Sequence, residues 1–150
     1  MNLTDSIGCV LARRGNPEVW AVDREATVFD ALQLMAEKDV GALLALDRGQ
    51  LCGIISERDY ARKVILLGKS SHDTLVEEIM SERTIYATPH STVDECMHLM
   101  TGNRVRHLPV LEGSTIVGIV SIGDLVNWII NSHEETIHQL HAYVSSSYPG

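Results

Sequence analysis

The sequence contains few cysteines, and their arrangement excludes two common stabilising devices. Cys9, Cys52 and Cys96 are odd in number and scattered, and none belongs to a C-x-x-C pair. Neither a disulfide framework nor a zinc knuckle is therefore indicated. We predict that the three side chains act as buried small hydrophobic groups in a reducing compartment.

Long hydrophobic runs are also absent. No apolar run approaches the roughly 20 residues that a helix needs to cross a bilayer. The first residues, "MNLTDSIGCVLARRG", have an early acid, no basic start and a short apolar core, which is not typical of a secretory signal. Arg13 and Arg14 are the only basic residues there and leave a weak mitochondrial-type presequence as the alternative. We predict a soluble, cytoplasmic protein.

Basic residues are outnumbered by acidic ones. Lys and Arg number 12 and Asp and Glu number 20, which gives a formal net charge of −8. This charge argues against a general nucleic-acid-binding or anionic-membrane surface. A local basic pocket remains compatible with it, and "RVRH" at 104–107 is a candidate.

Motifs of catalysis and of phosphate loops are missing. The sequence has no G-x-S-x-G elbow, Walker loop or G-x-G-x-x-G, and no nucleophile with a base at a recognisable spacing. His133, His138 and His141 lie in a C-terminal segment with helical periodicity. Because no Glu-x-x-His with converging carboxylates accompanies them, a solvated helix face is favoured over a metal site. We predict no catalytic residue and no metal.

An internal repeat is the strongest feature that the sequence does have. A shift of 65 residues aligns Val19–Tyr60 with Thr84–Leu125 without a gap, and 11 of the 42 pairs are identical. Most other pairs keep their polarity, and the turns coincide. The period is too long for a short solenoid unit, so the chain is predicted to hold two copies of one larger motif.

Each copy predicts the element order β-α-β-β-α. A short strand ("EVWAV", "TIYAT") precedes a capping-box pattern at Thr27 and Thr92, in which Asp30 is a weaker partner than Glu95. Two apolar runs separated by "RGQ" or "GST" then predict a hairpin, and a second helix follows Ser56 or Ser121. The predicted buried helix stripes are Val28, Ala31, Leu32 and Met35 in copy one and Val93, Cys96, Met97 and Met100 in copy two.

Related lead-in segments precede the copies, and a helical pattern follows them. "SIGCVLARRGN" and "TLVEEIMSER" both predict a helical turn that leads into a strand, and "LLGKSSHDT" is the polar linker between the copies. The predicted division is 1–68 for copy one with its lead-in, 69–130 for copy two and 131–150 for a helical extension. Such a projecting helix needs a packing partner, and a second subunit is the natural candidate.

The motif Gly-h-h-Ser-x-x-Asp occurs in both copies, as "GIISERD" and "GIVSIGD" (h, hydrophobic). As a structural feature, the Ser caps a helix and the Asp returns the hydrogen bond. As a binding feature, the same helix start offers N–H groups to anions and a carboxylate to ribose hydroxyls. Gly53 and Gly118 indicate a close approach, which either packing between the copies or a ligand would explain.

With this motif, "VGAL" at 40–43 and "VRHLPV" at 105–110, the sequence resembles a pair of cystathionine-β-synthase (CBS) domains over about residues 5 to 130. The resemblance implies an α/β (α+β) fold with the two repeats packed about a pseudo-twofold axis, and a homodimer. It also implies adenine nucleotides or related adenosyl ligands in two clefts between the repeats. The Asp would hold the ribose hydroxyls, and basic residues of the second strand would reach the phosphates.

Carried onto this sequence, the resemblance implies two ligand sets of different charge. The first is cation-rich and combines Ser56, Arg58 and Asp59 with Ile85, Val105, Arg106 and His107, with Thr84 and Pro109 on the same strands. The second is neutral and combines Ser121, Gly123 and Asp124 with Trp20, Val40, Gly41 and Ala42. A tryptophan such as Trp20 is more often a core residue than a platform on which a base stacks. Arg104 and Arg106 have the alternative explanation of strand residues that face water.

The predicted function is a non-enzymatic regulatory module that senses adenine nucleotides, and thus cellular energy status, and signals to an unidentified protein. AMP fits the cation-rich set, and NAD(H) is a second candidate because Gly41 and Gly123 leave room. The alternatives are a dimerisation or interaction module with vestigial sites, an S-adenosylmethionine sensor and, least favoured, an enzyme acting on a nucleotide.

Overall fold

The computed structural model describes residues 2–14, 19–82 and 85–131. A short 3-10 turn, Asn2–Thr4, precedes the first helix, and a π-helical segment, Ala61–Ile65, continues the third. The α-helices are α1 (Ile7–Arg13), α2 (Val28–Lys38), α3 (Glu57–Tyr60), α4 (Val76–Ile79) and α5 (Val93–Asn103), and residues 122–131 form α6. The strands are β1 (Ala21–Asp23), β2 (Ala42–Asp47), β3 (Gln50–Ser56), β4 (His107–Glu112) and β5 (Thr115–Ser121).

Two compact units divide the chain, and they do not follow the repeat boundaries. One, here the continuous unit, is Glu18–Ile85, and the other, here the two-segment unit, joins Met1–Pro17 to Tyr86–Gly150. Each copy is thus grouped with the lead-in segment that precedes the other copy. The division at 1–68, 69–130 and 131–150 describes the repeats along the sequence and stays a prediction. The compact units differ from it because each contains the lead-in of the other repeat.

The continuous unit contains a three-stranded sheet of order β1-β2-β3. β1 runs parallel to β2, and β2 and β3 form the predicted antiparallel hairpin, with Ala42 opposite Ser56. Helix α2 buries Val28, Ala31 and Met35 in the core of this unit, and Leu32 packs at its edge. Burial of three of the four predicted side chains confirms the period of 3.6 residues for this helix.

The two-segment unit repeats this arrangement with a shorter first strand. β4 and β5 form an antiparallel hairpin with His107 opposite Ser121, and a single parallel bridge joins Ala87 to Val110. The strand predicted from "TIYAT" is therefore reduced, among its described residues, to that bridge. Helix α5 buries Val93, Cys96 and Met100, as the sequence predicts, and Met97 is half-buried.

The helix starts reproduce the difference in the capping patterns. The Thr92 hydroxyl accepts a bond from the Glu95 N–H at 3.1 Å, and the Glu95 carboxylate accepts one from the Thr92 N–H at 3.5 Å. At Thr27 the box is half made: its hydroxyl accepts from the Asp30 N–H at 3.1 Å. Asp30 therefore takes part through its backbone N–H and not through its carboxylate.

The recurring glycines make room for the lead-in segments. A Cβ atom on Gly53 would lie 2.8 Å from the Met80 sulfur and 2.8 Å from the Ser81 carbonyl oxygen. A Cβ atom on Gly118 would lie 2.9 Å from a methyl group of Leu11. Each glycine therefore faces the lead-in that its compact unit has taken from the other repeat. Of the two explanations that the sequence left open, this contact supports packing.

Two predictions about individual residues are wrong. Cys9 is exposed rather than buried, whereas Cys96 is fully buried and burial raises the pKa of its thiol to about 11. Arg104 and Arg106 are not strand residues, because Arg104 ends α5 in the left-handed region with φ 55° and β4 begins only at His107. Asp39 ends α2 in the same way, with φ 53°.

The predicted C-terminal extension, with its three histidines, lies outside the described residues beyond 131. Within the described ranges, no helix combines the length and the apolar character that crossing a membrane requires. Nor do His, Cys, Asp and Glu side chains there gather into a group that could hold a metal ion.

We predict that Gly53→Ala destabilises the protein by about 1–3 kcal/mol, because the new methyl group meets the Ser81 backbone oxygen, which cannot move aside cheaply. Gly118→Ala should cost less, because its neighbour is the end of a flexible leucine side chain. The measurement is the free energy of unfolding in urea.

Gly102→Ala serves as the matched control. Gly102 lies in α5 with open space at its Cβ position, as far as the described residues go. Alanine there should add about 0.5–1 kcal/mol to stability. Equal stability of Gly53→Ala and wild type would contradict the packing role of Gly53.

Candidate functional site

The first candidate turn joins β3 to α3 in the continuous unit. The Ser56 hydroxyl accepts the Asp59 N–H at 3.2 Å, and Asp59 Oδ2 accepts the Ser56 N–H at 2.9 Å and the Ser56 hydroxyl at 3.0 Å. Lys63 Nζ lies 3.3 Å from Asp59 Oδ1 and donates to the Ile79 carbonyl at 2.9 Å. The carboxylate is thus held in place by its own helix, and its side chain is 19% exposed.

The second candidate turn joins β5 to α6 in the two-segment unit. Asp124 Oδ2 accepts the Ser121 N–H at 2.7 Å, and the Ser121 hydroxyl accepts the Asp124 N–H at 3.1 Å. The cation beside this carboxylate comes from the lead-in. Arg14 Nη1 donates to Asp124 Oδ2 at 3.0 Å and to the Ile119 carbonyl at 2.8 Å.

Both turns therefore pair their carboxylate with a cation, but from different sources. Lys63 comes four residues after Asp59 on the same helical stretch, whereas Arg14 precedes Asp124 by 110 residues. The sequence predicts a neutral second turn because Ile122 and Gly123 carry no charge. The structure adds the Arg14 guanidinium group to this turn, where it lies against Asp124, and the charge of the ligand set as a whole stays a prediction.

Each turn also lies beside the start of the second strand of its own copy. The Glu57 N–H donates to the Gly41 carbonyl at 3.1 Å, and the Ile122 N–H donates to the Arg106 carbonyl at 2.9 Å. These bonds place Gly41 and Ala42 next to Ser56 in the continuous unit, and Arg106 and His107 next to Ser121 in the two-segment unit.

The ligand sets implied by the resemblance combine residues of both units and stay predictions. Among their other members, Trp20 is half-buried and packs against the core of the continuous unit. The Lys38 Nζ atom lies 4.3 Å from the centroid of the Trp20 ring. Arg106 is exposed, and Thr84 lies outside the described residues. The remaining members are half-buried (Val40, Arg58, Ile85, Val105), buried (Pro109) or exposed (Gly123).

The lead-in helix α1 brings Arg14 to the second turn, and sequence reasoning missed this residue. Asp5, which precedes α1, accepts a hydrogen bond from the Trp128 indole N–H at 2.9 Å. Arg13, the last residue of α1, lies over the Trp128 ring at 5.3 Å from its centroid. A sequence signal for this contact does exist: the position of Lys63 in copy one is occupied by Trp128 in copy two. That loss of a cation indicates a different partner for Asp124 without identifying it.

Comparison with known proteins identifies a family over most of the chain. The family model of the CBS domain matches residues 15–65 and 76–131, so the chain belongs to the CBS domain family. The mitochondrial CBS domain-containing protein CBSX3 of Arabidopsis thaliana is 44% identical over 127 residues, which are 81% of this chain and 62% of CBSX3. The chain therefore spans less than two thirds of that relative.

Solved structures agree in fold. A protein with CBS domains from Burkholderia ambifaria is 46% identical, with a TM-score of 0.81 over 84% of this chain and 94% of its own. The hexameric CBS-CP12 protein from bloom-forming cyanobacteria is 25% identical, with a TM-score of 0.73 over 95% of this chain and 87% of its own. Proteins with paired CBS domains are in general regulatory modules that bind adenosine-containing ligands.

We predict that Ser56→Ala and Ser121→Ala each lower the free energy of unfolding by about 1 kcal/mol, because each removes the acceptor of a helix N-cap. Gln33→Ala, on the exposed face of α2, is the control and should change stability by less than about 0.5 kcal/mol. Urea denaturation measures all three. Losses no larger than that of the control would show that the serines do not stabilise the helix starts.

Proposed function

Because the chain belongs to the CBS domain family and carries two copies of the domain, we propose that it is a non-enzymatic regulatory module for adenine nucleotides. AMP is the first ligand that we propose, and NAD(H) is the second. The bound nucleotide would shift the module between conformations that a partner protein distinguishes.

The observation that carries the proposal is a carboxylate at the start of a helix, found at equivalent positions in both copies. Asp59 and Asp124 each use Oδ2 to bind the N–H of the serine three residues earlier. A carboxylate has about four acceptor positions in total. Among the described residues, Asp59 uses three of them, for two bonds from Ser56 and the Lys63 contact, and Asp124 uses two, so each carboxylate keeps a position for a ribose hydroxyl. The N–H groups of the same helix start favour a nearby phosphate.

The charges around these carboxylates favour a phosphorylated ligand. Arg58 follows Ser56 by two residues, Arg106 directly precedes β4, and His107 is the first residue of β4. Arginine binds phosphate through two parallel hydrogen bonds, which gives both affinity and orientation. We therefore propose AMP rather than adenosine as the preferred ligand.

Transmission to a partner requires that the nucleotide bind one conformation better than another. The proposed ligand turns are also the N-termini of α3 and α6, so a change in the turn is a change at the start of a helix. Exposed apolar side chains occur on both helical stretches, with Ile65 at 54% and Ile130 at 48% exposure. We propose that the protein functions as a homodimer; the hexameric assembly belongs to the cyanobacterial relative.

Localisation in the cytoplasm is likewise a proposal. The name of the Arabidopsis relative places that protein in mitochondria. The alternative proposal is therefore a mitochondrial location, with the first residues as a presequence. A fluorescent fusion of the full chain distinguishes the two compartments.

The principal rival is a dimerisation or interaction module whose sites no longer bind ligand. Helix capping alone accounts for the hydrogen bonds between Ser56 and Asp59. A thermal-shift panel of AMP, ADP, ATP, NAD(H) and S-adenosylmethionine separates the two functions. A ligand present at about 100 times its Kd adds about 2.7 kcal/mol to stability, whereas a module with vestigial sites shows no shift with any of them.

The same panel distinguishes the remaining rivals. A shift with S-adenosylmethionine alone would identify a sensor of that compound. Conversion of any nucleotide during incubation, followed by mass spectrometry, would identify an enzyme.

We predict that Asp59→Ala weakens AMP binding by about tenfold or more, because hydrogen bonds to a charged group contribute about 1.5–3 kcal/mol each. Asp124→Ala should weaken total binding less, because the predicted partners of Asp59 carry more positive charge. Isothermal titration calorimetry gives both affinities and the number of sites. Wild-type affinity in both variants would refute the assignment of the ribose contacts.

Arg106→Ala should reduce affinity for AMP by about tenfold while leaving adenosine nearly unchanged, because a phosphate contact is absent from the nucleoside. The control is Arg62→Ala, which removes an exposed arginine from the π-helical segment. An equal loss for AMP and adenosine would contradict a phosphate role for Arg106.

A further inference from the structure

The lead-in helix α1 holds Arg14 in a fixed position beside Asp124. The helix is capped by Ser6, whose side chain accepts the Cys9 N–H at 3.3 Å. Leu11 fills the space over Gly118, and Arg14 ends the helix with its own N–H bonded to the Val10 carbonyl. The guanidinium group is therefore positioned by packing at one end of a capped helix.

Arg14 supplies a charge that the second copy lacks at this place. Copy one has Arg58 inside its turn and Lys63 one helical turn later, and the repeat places Gly123 and Trp128 at the same positions in copy two. Trp128 contacts the lead-in instead, through Asp5 at 2.9 Å. The residue that replaces the lysine thus contacts the segment that brings the arginine.

The geometry leaves Arg14 able to bind a second anion while it holds Asp124. Among the described residues, both side-chain bonds of Arg14 use Nη1, one to Asp124 and one to the Ile119 carbonyl. A guanidinium group has five N–H donors in a planar fork, and the Arg14 side chain is 36% exposed. The other nitrogen atoms can therefore donate to a phosphate next to the same turn.

We propose that Arg14 is a specificity-determining residue of the Asp124 turn, where it selects phosphorylated adenosine ligands over the nucleoside. This inference rests on the proposed function, since it assumes that the turn binds an adenosine ligand. It adds that the second turn discriminates through a side chain delivered by the N-terminal lead-in rather than by the repeat itself.

The test compares AMP and adenosine in an Asp59→Ala background, where the other turn is weakened. Isothermal titration calorimetry is carried out on this full-length variant, on the same variant with Arg14→Gln and on the same variant with Arg13→Gln. Arg13 is the matched control, because it is the neighbouring cation on α1 and contacts Trp128 rather than Asp124. Circular dichroism verifies that each variant is folded.

Arg14→Gln should raise the Kd for AMP about tenfold to a hundredfold, the range expected for a charge-assisted hydrogen bond. The Kd for adenosine should stay within about twofold, and Arg13→Gln should leave both ligands within about twofold of the background variant. Arg14→Lys keeps the charge but loses the fork, so its affinity for AMP should fall between those of Arg14→Gln and the unchanged arginine. It is the variant to use should the glutamine variant unfold.

A phosphorus NMR titration of bound AMP gives a readout that a merely structural role would not move. The second pKa of a phosphate is about 6, and a contacting guanidinium lowers it. The pKa of bound AMP should therefore be lower in the protein that keeps Arg14 than in the Arg14→Gln variant.

Three results would overturn the inference while leaving the proposed function intact. Equal losses for AMP and adenosine would show that Arg14 only orients Asp124. Tighter AMP binding by Arg14→Gln would show that the arginine competes with the ligand. Unchanged AMP affinity would show that it does neither. Failure of the wild-type protein itself to bind AMP or adenosine would refute the proposed function, and this inference with it.

Discussion

The contact between a strand glycine and a lead-in side chain determines where the site residues lie. Leu11 occupies the space over Gly118, and Met80 occupies the space over Gly53. Because the interior of a protein is close-packed, a methyl group at Gly53 would push against the lead-in backbone, and one at Gly118 would force the Leu11 side chain to move. The contact at Gly118 fixes α1 and with it Arg14, and the contact at Gly53 lies beside the bond from Lys63 to the Ile79 carbonyl.

Capping and ligand recognition use the same groups in these turns. Ser56 and Ser121 each satisfy an N–H group that a helix start would otherwise leave unpaired. The two aspartates return that bond, and each also meets a cation, Lys63 in one case and Arg14 in the other. A carboxylate that is already positioned and charge-compensated loses little conformational freedom when a ribose binds. The proposed binding function thus builds on a local structure that is stable without ligand.

Local patterns made much of the fold predictable. The apolar spacing in α2 and α5, the threonine caps and the two hairpins are short-range features, and the structure contains all of them. The reduced first strand of copy two escaped prediction because strand formation depends on its packing context. The left-handed helix ends at Asp39 and Arg104 escaped prediction because neither residue is the glycine or asparagine that usually marks such an end. Cys9 was misplaced because its side of α1 faces solvent, which three scattered cysteines cannot reveal.

The residues of the candidate site also differ in how far the sequence predicts their positions. The positions of the two Ser-x-x-Asp turns follow from the repeat, and so does their proximity to the strand that begins each hairpin. Arg14 does not follow from it, because 110 residues separate it from Asp124 and its own neighbours carry no motif. Arg14 lies beside Asp124 because the two-segment unit contains the lead-in that precedes copy one. The sequence signal of this long-range packing is that copy two has Trp128 at the position of Lys63 in copy one.

We propose that the helix-capping turns at 56–59 and 121–124 bind an adenine nucleotide. A titration of the isotope-labelled protein with AMP, followed through its backbone amide resonances by NMR, shows whether they do. We expect the largest saturable shifts at the amides of these two turns and of the adjoining strand starts at 41–42 and 106–107. Saturable binding with the largest shifts elsewhere, or no shift at millimolar AMP, would contradict this proposal.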